Sequence, residues 1–289
     1  MNEFVLGLNR FAIGMALNRG GKIGVYTNML SCEEKSSLSK AMHHCNLYRQ
    51  YTRSQVFHEP RFHVLLSSKA AQSNVGYKYH GIRMKALPIN FVPEVASYAT
   101  ELAKVYKLPQ DQWDIGVDLI IYRDGDDSIG WHADDTQGKH QRLPDVTIHE
   151  CILCLMHFLA LSQMKKGESV ILCVVVDAPG EPRPIHIRPN KRVKQLADGD
   201  EEIQLFIGEG DGYDMDGLMQ KGYEHCLPKR NGDTAHRFVL IFRHGIEARV
   251  SEDTGVALTD MSKSPQAAIP DSETGCLASF LSRMRAKAP

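Results

Sequence analysis

From Val117 onward the chain is a succession of short runs rich in branched aliphatic residues: VDLIIY, SVILCVVVDA, RPIHIRP, EIQLFIGEG and HRFVLIFRH, each bounded by Gly, Pro or Asp. Residues of this kind favour strands. A parallel arrangement needs a helix between successive strands, and only one segment, residues 139–167, offers one. The expectation is an α+β protein whose second half is an antiparallel β-sandwich or jelly roll, preceded by helices.

Residues 25–50 carry Leu30, Leu38, Met42 and Leu47 at near-helical spacing, with Ser31 and Glu34 placed as a capping box. Further on, RFHVLLSS and VGYKYHGIRM read as strands, and PEVASYATELAKVYKL as an amphipathic helix opened by Pro93. The first twenty residues, MNEFVLGLNRFAIGMALNRG, read as a helix, with an organellar presequence as the alternative. Seven scattered cysteines without a secretory signal read as free thiols of a reducing compartment, and the expected location is nuclear or cytoplasmic. A net charge of −1 leaves any electropositive face a local matter. With 43 % apolar residues and no apolar run long enough to cross a bilayer, no membrane span is expected.

Against this apolar background the stretch SIGWHADD, Ser128 to Asp135, concentrates ionisable groups at the end of a strand, a costly arrangement unless something offsets it. Alternation puts Ser128, Gly130, His132 and Asp134 on one face and Ile129, Trp131 and Ala133 on the other. His132 and Asp134 are then about 7 Å apart along the backbone and could grip a metal with a third ligand from a later strand. The candidates are His186, His225, His236 and His244. His225, in KGYEHCLPKR, is preferred because it is expected at a turn where a side chain can lean into a barrel mouth. In HRFVLIFRH, Arg237, Val239, Ile241 and Arg243 share a face, and a guanidinium buried there needs an anion such as a dicarboxylate. Cys151, Cys154 and His157 also share a helical spacing but lack a fourth ligand and read as core residues.

Two histidines and a carboxylate on one face of Fe(II) form the facial triad of non-haem iron oxygenases. The series PRFHVLLSS, YKYHGIRM, LIIYRDGDDSIGWHADD, GYEHCLPKR and RFVLIFR resembles the AlkB-type Fe(II)- and 2-oxoglutarate-dependent dioxygenases, closest to those that repair alkylated nucleic acids. The resemblance implies a double-stranded β-helix and Fe(II), 2-oxoglutarate and O2 as cofactors and cosubstrates. It implies His132, Asp134 and His225 as iron ligands, Tyr122 and Arg237 on the distal carboxylate of 2-oxoglutarate, and Arg243 near its metal-bound end. Tyr79 would stack on a flipped or single-stranded base, with Asp135 approaching that base. The implied reaction is oxidative demethylation of N-alkylated bases in DNA or RNA, with Arg61, Lys78, Arg83, Lys85 and the NKRVK run available to phosphates. A protein or lipid hydroxylase and a catalytically inactive jelly-roll binding module are the alternatives.

The sequence departs from the family where Asn usually contacts the cosubstrate: those positions are Ile120 and Val239. It reads HADDTQG where many repair members read HxDDE. The domain expected at residues 58–246 is interrupted at 139–167; excising that segment joins HADDTQG to ESVILCVVV, so it reads as a surface insertion or an unremoved intron. Residues 1–57 are expected to form an N-terminal extension and helix, and 247–289 a mobile tail.

Overall fold

In the computed structural model, residues 11–17, 21–53, 57–70, 76–79, 82–105, 116–134, 170–190 and 202–244 are described. Strands β1 (Phe11–Ala16) and β2 (Lys22–Thr27) precede helix α1 (Cys32–His44). A short ribbon, β3 (Thr52–Arg53) and β4 (Phe57–His58), leads to β5 (Phe62–Ser67) and the hairpin β6 (Gly76–Tyr79) and β7 (Ile82–Lys85). After β8 (Leu87–Pro88) comes α2 (Pro93–Val105), then β9 (Gly116–Tyr122) and β10 (Ile129–His132). The remaining elements are β11 (Val170–Asp177), β12 (Arg183–Pro189), β13 (Ile203–Ile207), β14 (Gly212–Asp216), α3 (Gly217–Gly222), β15 (Tyr223–Leu227) and β16 (Arg237–His244).

Eight strands form one sheet in the order β1-β2-β14-β11-β16-β9-β5-β8, and four form a second in the order β10-β15-β12-β13. The fold is α+β, with a jelly roll at its centre, as expected. The central strand β9 is buried along its whole length, which is why VDLIIY shows little alternation. On one face of the large sheet, Val117, Leu119, Ile121, Leu172, Val174, Phe238 and Leu240 pack against Leu38 and Met42 of α1 and Val95 and Leu102 of α2. On the other, Ile120, Tyr122, Ile171, Cys173, Val175 and Val239 meet Ile185, Ile187, Leu205 and Ile207 of the small sheet. This second interior is where the chemistry-bearing residues converge.

Ser31 caps α1 with Glu34 as the expected capping box, and α2 begins at Pro93 as expected. The N-terminus differs. Residues 11–16, read as helix, form β1, and Val25 to Thr27, read as the start of a helix, belong to β2. The two strands pair and extend the large sheet through β14, whose buried Asp214 accepts from the Gly24 amide at 2.7 Å and the Tyr26 hydroxyl at 2.7 Å. These partners lie far away in sequence, so local periodicity does not reveal them. Among the described residues Cys32, Cys45, Cys173 and Cys226 are free thiols, and no helix is long and apolar enough to cross a membrane. The segment 139–167 and the tail 247–289 lie outside the described residues.

Candidate metal centre

The acidic turn IYRDGDD delivers β10 to the interior. Arg123 clamps Asp127 through Nε and Nη2 at 2.8 and 2.7 Å, and Asp124 accepts from the Asp126 amide at 3.0 Å. Gly125 exchanges backbone hydrogen bonds with the loop after β15, donating to Asp233 and accepting from Arg230, both at 2.8 Å. A Cβ at position 125 would fall 1.9 Å from the Arg230 carbonyl oxygen, so only glycine permits this approach. Most of the acids in this stretch therefore build a turn, and Asp134 is left for the interior.

β10 pairs antiparallel with β15, and His132 stands directly opposite His225. The ring centroids are 4.2 Å apart. Asp134 completes the group: its carboxylate lies 3.9 Å from His132 Nε2 and 3.6 Å from His225 Nε2. Two readings need correction. His225 lies inside a strand, not at a turn, because β15 runs through Tyr223–Leu227. A register shift between Ile129 and His132 breaks the simple alternation, so Ile129 packs on the same interior as His132. Trp131 faces away, under the Arg188 guanidinium at 3.9 Å. His186 also takes the outer face as expected, 2.6 Å from Glu202.

The donor set fits a divalent transition metal. His132 Nδ1 lies 2.8 Å from the Gly130 carbonyl oxygen, which fixes the proton on Nδ1 and leaves the Nε2 lone pair bare beside the carboxylate. Burial lowers the pKa of His132. Burial, with His132 beside it, lowers that of His225 from 6.5 to about 3, so both rings are neutral at pH 7. Burial alone would raise the Asp134 carboxyl, but Arg243, His225 and His132 outweigh it and hold the group below the usual carboxylate range. Neutral imidazoles and an ionised carboxylate are the forms a metal requires.

Because His225 is neutral in the fold, the unfolded chain binds a proton there that the folded chain does not between about pH 3 and 6.5. His132 shifts in the same direction. The metal-free protein therefore loses stability as pH falls from 6.5 toward 3, by up to about 1.4 kcal/mol per pH unit for each proton taken up. Urea midpoints measured from pH 7 to pH 5 in the presence of chelator check this.

Arg243 donates to Asp118 through Nη1, and its Nη2 lies 3.4 Å from Asp134 Oδ1. Asp118 was not anticipated, although a carboxylate inside the apolar run VDLIIY is itself a signal for a buried cation. Gln220 of α3 was also missed: its side-chain oxygen accepts from the Asp134 amide at 2.9 Å and fixes the backbone that carries the carboxylate. Asp118→Asn should cost about 2 kcal/mol, the scale of a hydrogen bond to a charged group. Chemical denaturation of the two proteins measures this directly.

Arg237 is 2 % exposed, and its guanidinium donates to the Ile207 carbonyl at 2.9 Å. No carboxylate pairs with it among the described residues, and burial lowers its pKa. It stands opposite Tyr122 in the β16–β9 ladder, two residue pairs away from Val239 opposite Ile120. The two family-atypical positions are thus direct cross-strand partners within the interior core. A buried guanidinium with no anion among the described residues, beside an apolar core, fits the carboxylate of a bound dicarboxylate.

Other expected positions fall elsewhere. Arg61, read as a phosphate contact, is buried, with Nη2 3.4 Å from Glu59 and Nη1 donating to the Ser128 carbonyl at 3.3 Å. Tyr79 closes β6, and Asp135 lies outside the described residues.

The family model described as the 2OG-Fe(II) oxygenase superfamily matches residues 22–249. Among solved structures, the chain is similar to a prolyl hydroxylase from Trichoplax adhaerens in complex with a hypoxia inducible factor oxygen degradation domain peptide fragment. That match has 6 % identity, covers 77 % of this chain and 83 % of the other, and has a TM-score of 0.43. A second structure, OsALKBH1, matches at 13 % identity over 80 % of this chain and 100 % of the other, with a TM-score of 0.42. No curated protein matches the chain by sequence. The chain belongs to the 2OG-Fe(II) oxygenase superfamily, a dioxygenase of the class that uses Fe(II), 2-oxoglutarate and O2.

Proposed function

We propose that the chain is an AlkB-type dioxygenase that removes N-methyl groups from bases in nucleic acid, with His132, Asp134 and His225 as its iron ligands. The observation that carries the nucleic-acid part is the register of the β6–β7 hairpin, which sets Lys78 directly opposite Arg83. Like charges at directly opposed positions are unfavourable, and a phosphate between them removes the cost. Tyr77 and Tyr79 flank Lys78 in the same strand, and aromatic residues interleaved with basic ones are the composition of segments that bind unpaired nucleic acid. A base within a duplex cannot reach an interior centre, so the substrate is single-stranded or flipped.

Bound Fe(II), with 2-oxoglutarate and O2, supplies the oxidation that hydroxylates an N-methyl carbon; the resulting hemiaminal releases formaldehyde and the cosubstrate leaves as succinate and CO2. The chain's residues prepare the site for it. Arg237 and Tyr122 hold the distal carboxylate of the cosubstrate, and Arg243, braced by Asp118, orients Asp134 and faces the other end. Gln220 and the Gly130 carbonyl fix Asp134 and His132, so little reorganisation remains when metal binds. Ile120 and Val239 line this part of the interior with hydrocarbon.

The test is succinate and formaldehyde release, under Fe(II) and 2-oxoglutarate, with N-methylated single-stranded and duplex oligonucleotides. Formaldehyde stoichiometric with succinate, and oligonucleotide affinity that falls as salt rises, are the expected results. Tight binding of iron and cosubstrate without formaldehyde from any methylated oligonucleotide would sink the substrate assignment and leave the oxygenase intact.

A further inference from the structure

A second group of imidazoles and a carboxylate lies on the opposite face of β16 from Arg237. There His43 of α1, Asp177 at the end of β11 and His236, just before β16, place one donor atom each within 4.8 Å of one another. His43 Nε2 is 3.2 Å from Asp177 Oδ2, His236 Nε2 is 3.0 Å from Asp177 Oδ1, and the Ser39 hydroxyl donates to Oδ2 at 2.5 Å. We propose that His43, Asp177 and His236 form a second metal site, for a structural zinc ion that fastens α1 to the large sheet.

The backbone is arranged to bring these residues together. Alternation along β11 puts Ile171, Cys173 and Val175 in the jelly-roll interior, and would send Asp177 there too. A register shift between Val175 and Asp177 against β16 reverses this and turns the carboxylate toward α1. His236 precedes inward-facing Arg237, so it falls on the helix side with Phe238. The Phe238 ring fixes both imidazoles, edge-on to His43 at 4.5 Å between centroids and tilted to His236 at 5.2 Å.

The spacing suits the ion. Zinc bonds of about 2.0–2.1 Å at tetrahedral angles place ligand atoms about 3.3 Å apart. The two nitrogen–oxygen separations here, 3.2 Å to Oδ2 and 3.0 Å to Oδ1, are of that size, each to its own carboxylate oxygen. Imidazole and carboxylate donors favour zinc over calcium or magnesium. Side chains that are 16 % exposed at His43, 20 % at Asp177 and 19 % at His236 leave the site open to solvent, so an ion can reach it. With zinc bound, each neutral ring carries its proton on Nδ1 and offers its Nε2 lone pair, and Ser39 or water takes the fourth position. Without zinc, the same atoms form a hydrogen-bonded His-Asp-His cluster.

Glutamine separates these two roles, since its amide can still donate to Asp177 but ligates zinc poorly. The full chain carrying His132→Ala and His225→Ala, dialysed against Zn²⁺ and then buffer, should retain one zinc per chain by mass spectrometry and gain several degrees in Tm. Adding His43→Gln and His236→Gln should bring both to zero while leaving Tm in chelator nearly unchanged. If the alanine variant does not fold, the wild-type chain should hold two zinc ions and the glutamine variant one. No zinc in the first protein, or equal zinc with and without His43 and His236, overturns the proposal. Either result is independent of whether the His132 centre turns over nucleic acid.

Discussion

Asp134→Ala should reduce 2-oxoglutarate-dependent succinate formation by more than about 100-fold, beyond the range that outer-sphere partners of a metal contribute. Among the described residues the Asp134 carboxylate is the one anionic group grouped with His132 and His225, and its removal leaves two neutral rings that bind Fe(II) weakly. The loss has a second component, because Arg243 now touches Asp134 as well as Asp118. His225→Ala should give the same loss of turnover with a different effect on stability. Its Nδ1 is buried with no hydrogen-bond partner among the described residues, so removing the ring removes an uncompensated polar atom. Single-turnover succinate assays and urea denaturation of both variants separate the two contributions.

Arg237→Met should weaken 2-oxoglutarate binding by roughly 10- to 100-fold, the equivalent of one hydrogen-bonded charge pair. The free protein should meanwhile stay within about 1 kcal/mol of the parent. A guanidinium buried against a single carbonyl has no carboxylate among its described neighbours to offset its desolvation, and an apolar side chain of similar volume avoids that cost. Loss of cosubstrate affinity without loss of stability is the signature of a residue kept for its ligand. Anaerobic calorimetry with 2-oxoglutarate, beside a thermal melt without it, reads both quantities.

The large sheet was legible because its central strands are buried on both faces and appear as uninterrupted branched aliphatic runs. The N-terminal strands were not, since FAIGMA and KIGVYT carry glycines and pair with partners that only the folded chain brings close. GYDMD and YEHCL were also missed as strands, because their charged residues are satisfied across the fold by Gly24, Tyr26 and Arg188. At the site, the spacing of His132 and Asp134 and the isolated arginines of β16 were readable in one dimension. The bulge that turns Ile129 inward, the opposition of His132 and His225, and the anchoring of Asp134 by Gln220 depend on strand register and a distant helix. Asp177 shows the same limit: alternation places it on the wrong face, and a bulge corrects it.

The central claim, that His132, Asp134 and His225 hold iron beside an Arg237-bound cosubstrate, is tested most directly by anaerobic Fe(II) titration with and without 2-oxoglutarate. The chain carrying His43→Gln and His236→Gln keeps the second cluster from contributing. One Fe(II) per chain is predicted, bound more tightly when 2-oxoglutarate is present, with Asp134→Ala abolishing the site and Arg237→Met abolishing the tightening. Fe(II) binding that neither substitution alters would contradict the account.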